Sequence, residues 1–189
     1  GDRVYGMTGG VRGTQGTLAQ YQVADARLLA LAPASLTDEQ AAAMPLVTLT
    51  AAQALQRLDL KTGDEVYICG ASGGVGQMAL QLAVAEGCRV TGSAGSAERV
   101  THIEALGGQG ILHSQAADLV AEGRTFSNLL DTFGGESLQM ALQLAAPYGQ
   151  VATINARAQY DLAQAHAKAL TLHAVFVLLP LLNGQGRDA

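Results

Sequence analysis

The sequence predicts an α/β fold built on a doubly wound parallel sheet. Three observations carry that expectation. From Asp64 onward, short apolar runs of strand type alternate with amphipathic helical stretches at the spacing of βαβ units. The first of these units has a glycine-rich turn between its strand and its helix. The composition also suits a buried sheet, since 49% of the 189 residues are apolar and only 14% are charged.

The elements follow in order. Within residues 1–32, "DRVYGM" and "LAQYQVADARLLALA" alternate apolar and polar residues, the pattern of half-buried strands, around the loop "TGGVRGTQGT". Pro33 breaks the pattern. Thr37 and Gln40 have capping-box spacing, which predicts a short helix to Met44, stopped before Pro45. A second helix is expected from Thr48 to Leu58, closed by "KTGD". Strand "EVYIC" then leads through the glycine turn into a helix whose Val75, Met78, Ala79, Leu82 and Ala83 share one face, with Gly87 at its end. Strand "CRVTGS", a helix over Ser96–Leu106, strand "GILH" and a short helix near Asp118–Glu122 come next. Strand "NLLDTF" runs through Gly134 and Gly135 into the helix "ESLQMALQLAAPYG". Strand "QVATI", a mixed segment from Tyr160 to Ala169 and strand "LTLHAVFVL" complete the pattern.

Bulk properties exclude several classes. The net charge of −5, with no basic stripe, predicts no nucleic-acid partner. The longest apolar run, "AVFVLLPLL" over 174–182, is too short to cross a bilayer as a helix, so no membrane role is expected. Cys69 and Cys88 each sit beside a strand pattern and read as buried free thiols in a reducing compartment, which predicts a cytoplasmic protein. The chain opens without Met and closes on the polar "NGQGRDA", as a segment of a longer chain would.

The turn itself reads Ala71-x-Gly73-x-x-Gly76, a G-x-G-x-x-G variant with alanine in the first slot. Such a motif alone is weak, and a tight turn without a ligand is the alternative. Its context is the one a dinucleotide-binding Rossmann unit requires: strand before, amphipathic helix after, another strand beyond. Gly73 lets backbone approach a pyrophosphate, Gly76 lets the helix pack on the strand, and the N–H groups near Gly74 and Val75 face the phosphates. The choice of nucleotide turns on the end of the second strand, where an NAD protein keeps a carboxylate. Here Ser93 takes that slot, and Arg99 follows with a planar charged fork suited to a 2′-phosphate. This predicts NADPH as cofactor. A solvated helix residue is the alternative for Arg99.

Together "PLVTLTAAQAL", "GASGGVGQMALQLA", "VTGSAGSAERV" and "LLDTFGGESL" resemble the medium-chain dehydrogenase/reductase superfamily, and within it the zinc-independent quinone oxidoreductase (zeta-crystallin-like) branch. The resemblance covers essentially the whole chain. It implies that residues 1–36 are the remnant of a GroES-like catalytic domain and that 37–189 form the Rossmann domain, with other parts of the family chain missing. It places Thr50 by the nicotinamide, and Ser72, Gly73, Gly74 and Val75 in the pyrophosphate loop. It places Ser93 and Arg99 at the 2′-phosphate. His113 stands where the family often has a tyrosine touching that phosphate; a histidine closing a strand with no ligand is the alternative. Thr132, Phe133 and Gly134 match the loop along the cofactor. Ile154 and Asn155 follow the fifth strand, and Phe176 and Val177 match the stretch that passes the nicotinamide. Ala52 departs from the family's usual aromatic.

The metal-dependent branch of the superfamily binds catalytic zinc through Cys and His. Two cysteines and the scattered His102, His113, His166 and His173 form no such cluster, so no metal is expected. The resemblance then implies hydride transfer from NADPH to a quinone or an α,β-unsaturated carbonyl, a small hydrophobic substrate facing Val47, Leu49 and Phe176. No residue stands out as a general acid, so the catalytic residues are unassigned. An enoyl-thioester reductase, a zinc-dependent alcohol dehydrogenase and a non-catalytic NADPH-binding protein are the rival readings. The apolar edge strand over 170–178 predicts a homodimer, as the family forms, unless a further segment covers it.

Overall fold

The computed structural model describes residues 1–184, and these divide into two compact units. Among the described residues the first comprises 1–49 and 176–184, and the second is Thr50–Val175. The division falls inside the helix Asp38–Leu58.

In the first unit, β1 (Val4–Gly6) pairs antiparallel with β2 (Leu29–Leu31), Tyr5 opposite Ala30. The long alternating run from Leu18 to Ala32 therefore yields only three strand residues. Leu18, Tyr21 and Val23 are almost wholly exposed. An alternating pattern becomes a strand only where a neighbour supplies the ladder, and among the described residues this run finds no partner beyond β1. The helix α1 (Asp38–Leu58) begins at the expected capping box: Thr37 N–H donates to Gln40 Oε1 at 3.0 Å, and Gln40 N–H to Thr37 Oγ1 at 3.3 Å. It then runs through Pro45 without stopping, where two helices were expected. Proline deletes one hydrogen-bond donor and crowds one turn. The good helix formers on both sides, Gln40–Met44 and Ala51–Leu58, outweigh that local cost.

The second unit alternates strand and helix throughout. In chain order come β3 (Glu65–Cys69), α2 (Gly74–Ala85), β4 (Arg89–Ala94), α3 (Ala97–Ala105), β5 (Gln109–Leu112) and α4 (Ala116–Ala121). They are followed by β6 (Phe126–Asp131), α5 (Glu136–Leu144), β7 (Ala145–Thr153), α6 (Ala163–Ala167) and β8 (Thr171–Ala174), with α7 (Leu179–Asn183) back in the first unit. The six strands form one parallel sheet in the order β5-β4-β3-β6-β7-β8. The last strand stops at Ala174, short of the expected end at Leu178, and Phe176 and Val177 leave the sheet.

Both faces of this sheet are apolar, as crossover helices on both sides require. Val66 and Ile68 of β3 face one cluster with Leu55 and Leu58 of α1, Leu80 of α2 and Ile103 of α3. Tyr67 and Cys69 alternate to the other face, against Leu138 and Leu142 of α5 and Ala116 of α4. The sheet order reverses direction between β3 and β6. The carboxyl ends of those two strands therefore part the helices above and below and leave a crevice there.

Candidate functional site: the carboxyl edge of the sheet

The glycine turn occupies that crevice. β3 ends at Cys69, Gly70 takes a φ of +75°, and Gly73 stands at the start of α2 with extended backbone and no side-chain cap. The first N–H groups of a helix lack partners of their own, and here no side chain supplies one. Gly76 shows why the turn is tight. A Cβ there would run into the carbonyl oxygen of Gly70 and come within 2.8 Å of Ala71 Cα. Gly92 of β4 makes the matching concession, since its Cβ would lie 2.5 Å from that of Ala71. Helix α2 thus sits close on the sheet with its positive end open, a cradle for an anion.

Beside the cradle, the loop after β6 is fixed from below by Asp131, which is fully buried. Its carboxylate accepts from Gly134 N–H at 2.8 Å, Thr153 Oγ1 at 2.8 Å, Ser137 Oγ at 2.5 Å and Phe133 N–H at 3.3 Å. Thr132 Oγ1 donates to Cys69 O at 2.8 Å and ties the loop to the end of β3. Asn155 Nδ2 donates to Phe133 O at 2.7 Å, and Gly135 N–H donates to the Tyr160 hydroxyl at 3.0 Å. Gly134, at φ +77°, lies against Asn155 O where a side chain would not fit. Burial pushes the Cys69 thiol pKa up, so it is held neutral beside this network.

The end of β4 carries Ser93 and Ala94. Ser93 lies inside the strand, fully buried, in register with Cys69. Side chains alternate along a strand, and this register turns Ser93 inward. Its hydroxyl donates to Cys69 Sγ at 3.6 Å and lies 2.9 Å from His113 Nδ1. The rim proper is Gly95 and Ser96. Ser96 caps α3, its Oγ accepting from Arg99 N–H at 3.4 Å. Arg99 is exposed, and among the described residues no carboxylate lies within ion-pair distance of it. His113 follows β5, its ring edge-on to Phe133 at 5.5 Å between centroids. Burial, and then the Arg99 charge, hold its pKa below the usual histidine range.

The second unit therefore gathers most of the expected residues at one edge. Ser72–Val75 form the turn, Arg99 and His113 flank the end of β4, and Thr132–Gly134, Ile154 and Asn155 follow β6 and β7. Thr50 is buried in α1. Phe176 and Val177 belong to the first unit. Sequence reasoning missed Asp131, Ser137 and Tyr160, which hold the loop, and Ser96. A carboxylate ending an apolar strand before "TFGG" was the available signal, since Asp commonly binds the backbone of a following turn. Among the described residues no three His, Cys, Asp or Glu side chains are placed to hold a metal ion. No described helix is long and apolar enough to cross a membrane.

An open parallel sheet in this order, with a glycine cradle at its switch point, defines a Rossmann-type domain. The chain belongs to the zinc-binding dehydrogenase family of the medium-chain dehydrogenase/reductase superfamily, and the family model matches residues 74–181. It is 39% identical to an alcohol dehydrogenase superfamily protein from Novosphingobium aromaticivorans, with a TM-score of 0.94 over 99% of this chain and 58% of that one. It is 28% identical to the quinone oxidoreductase of Thermus thermophilus, solved also with NADPH, with a TM-score of 0.74 over 85% of this chain and 54% of that one. It is 33% identical over 168 residues to a mycocerosic acid synthase-like polyketide synthase of Mycobacterium tuberculosis, covering 85% of this chain and 8% of the synthase. The chain thus spans little more than half of the two solved relatives and a small part of the synthase.

Proposed function

We propose that this chain is the cofactor-binding part of an NADPH-dependent oxidoreductase that reduces quinones or α,β-unsaturated carbonyls by hydride transfer without a metal. The observation that carries the reading is the end of β4. Ser93 stands where a carboxylate would, and Arg99, which among the described residues has no carboxylate within ion-pair distance, lies in the first turn of α3 near His113. A carboxylate would repel a 2′-phosphate, whereas a guanidinium fork binds one with two parallel hydrogen bonds.

NADPH, when bound, supplies the hydride. The chain's own residues bind and orient it. The N–H groups at the start of α2 receive the pyrophosphate, and Gly73 keeps side-chain bulk away from it. Asp131 presets the 132–135 loop, so little order remains to be gained on binding. The quinone oxidoreductase relative supports the quinone class. The polyketide synthase relatives favour a second reading, an enoyl-thioester reductase. The protein is proposed to act in the cytoplasm, where its two buried free thiols stay reduced. It is also proposed to form a homodimer through the outer edge of β8, where Leu172 is exposed.

The test is a screen of NADPH oxidation by the full-length protein with quinones, enones and enoyl-thioesters, with and without a chelator. Turnover of quinones or enones that a chelator leaves unchanged is the expected result. Turnover confined to enoyl-thioesters selects the second reading, and chelator-sensitive alcohol oxidation overturns the metal-free one. In the same assay R99L is expected to raise the KM for NADPH about tenfold or more, from the loss of a charge-assisted hydrogen-bonded contact, and to leave that for NADH in place.

A further inference from the structure

Tyr160 lies in the chain between β7 and α6, and its hydroxyl joins two loops. It accepts from Gly135 N–H at 3.0 Å and donates to Asn155 O at 3.3 Å. A backbone N–H only donates and a carbonyl only accepts, so the partners assign the single phenolic proton. Gly135 leads into α5 with φ +58° and ψ −131°, and no side chain caps the helix there. Phe133 and Gly134, just before it, give their N–H groups to Asp131 from below. Tyr160 takes the third N–H from the side. Asn155 is bound twice more, its N–H to Thr153 Oγ1 at 3.3 Å and its Nδ2 to Phe133 O at 2.7 Å.

Tyr160 is itself held in place. Gln139 of α5 grips the next residue with both ends of its amide: Oε1 accepts from Asp161 N–H at 2.7 Å, and Nε2 donates to Asp161 O at 3.1 Å. Asp161 Oδ1 accepts from Ala163 N–H at 2.8 Å at the start of α6. The Tyr160 ring packs against the cluster that holds Leu138 and Leu142. Between these anchors residues 156–159 are exposed and form neither helix nor strand. The chain from 155 to 160 is thus a loop closed at its base by one hydroxyl.

We propose that Tyr160 is a positioning residue for the nicotinamide end of the cofactor, its hydroxyl setting the spacing of the loops after β6 and β7. This rests on the NADPH reading above. A dinucleotide lies across the switch point of an open parallel sheet. With the pyrophosphate on α2 and the 2′-phosphate toward β4, the nicotinamide falls to the other half, over β6 and β7. Asp131 anchors the first of these loops to the sheet, and Tyr160 ties it to the second. Neither bond of Tyr160 lies at the glycine cradle, so their loss moves one end of the cofactor and leaves the other. Phenylalanine at this position keeps the packing of the ring and removes both bonds.

The experiment compares Y160F with the parent, both full length, by calorimetric titration with NADPH and with 2′,5′-ADP and by the fluorescence lifetime of bound NADPH. 2′,5′-ADP has no nicotinamide and is expected to bind both proteins alike. NADPH is expected to bind Y160F about fivefold more weakly, the scale of one neutral hydrogen bond, and its nicotinamide lifetime to fall toward that of the free cofactor. Q139L, which releases Asp161 and lets Tyr160 shift, should show the same signature in smaller degree. Equal NADPH affinity and lifetime in Y160F and the parent overturn the role of Tyr160 and leave the NADPH reading standing. An equal loss of affinity for 2′,5′-ADP and NADPH overturns it too, because the hydroxyl then serves the domain as a whole. A parent that binds neither ligand overturns the NADPH reading, and this proposal with it.

Discussion

The two edges of the six-stranded sheet use charge in opposite ways. At the amino edge a cavity of about 400 Å³ is lined by Glu65, Arg89, Gly108 and Arg124 among others. Its charges are spent on one another: Arg124 reaches Glu65 Oε2 at 2.9 Å and Arg89 reaches Oε1 at 3.4 Å, while Arg124 also lies 5.0 Å from the Phe126 ring centre. At the carboxyl edge the donors are open. The first turn of α2 has no side-chain cap, and among the described residues no carboxylate lies within ion-pair distance of Arg99. A hollow marks a site less well than groups held ready without a partner. The amino edge holds its carboxylate between two arginines, and the carboxyl edge is preset by the buried Asp131 carboxylate.

Asp131 is the most sensitive position of the carboxyl edge. Replacing it with alanine strands the Ser137 and Thr153 hydroxyls and the Gly134 N–H in the interior. Each buried group left without its charged partner is costly, and D131A is expected to lose about 3–4 kcal/mol in urea unfolding. D131N keeps one acceptor oxygen and should lose about half of that. A D131A protein as stable as the parent would mean that the carboxyl edge is not preset in this way.

Gly76 comes next. An alanine there meets backbone, the Gly70 carbonyl and Ala71 Cα, and backbone cannot turn aside as a side chain can. Helix α2 must move off β3. G76A is expected to cost about 2 kcal/mol of stability, within the range for overpacking. It should also weaken NADPH binding about tenfold, because the open N–H groups shift with the helix. Fluorescence titration of the cofactor reads the second effect. Unchanged affinity would show that the cradle does not depend on the close contact.

Much of this was legible in the sequence, and the exceptions share a cause. The strand–turn–helix of β3 and α2 could be read because its signals are local: an apolar run, glycines at fixed offsets, and one helical face. The capping box at Thr37 and Gln40 is local too. What failed was decided by distant neighbours. The alternation over Leu18–Ala32 needed a pairing strand beyond β1 and found only three residues' worth. Pro45 looked like a stop and is carried by the helix around it. The burial of Ser93, next to last in β4, likewise depends on the pairing of β4 with β3 and β5. Asp131 was read only as part of a strand, because its four donors come from positions 133, 134, 137 and 153.

The smallest expected effect sharpens the contrast from the amino edge. The hydrogen bond from Arg124, ahead of the charge of that arginine and the contacts from Arg89, holds the Glu65 pKa below the usual carboxylate range. A depressed native pKa gives stability that is present above the unfolded value, near about pH 4.3, and is lost as pH falls through the native one. The side chains are largely open to water, a third for Glu65 and more for the arginines, so screening leaves only a fraction of the pairing. E65Q is expected to cost about 0.5 kcal/mol at neutral pH, with the difference from the parent closing below about pH 4. NADPH affinity should not change, because the substitution lies at the far end of β3 from the cradle. Urea unfolding across pH, with one cofactor titration at neutral pH, checks both halves. A weakened NADPH affinity in E65Q would show that the two edges are coupled through the strand and that the amino edge is more than a neutralised surface.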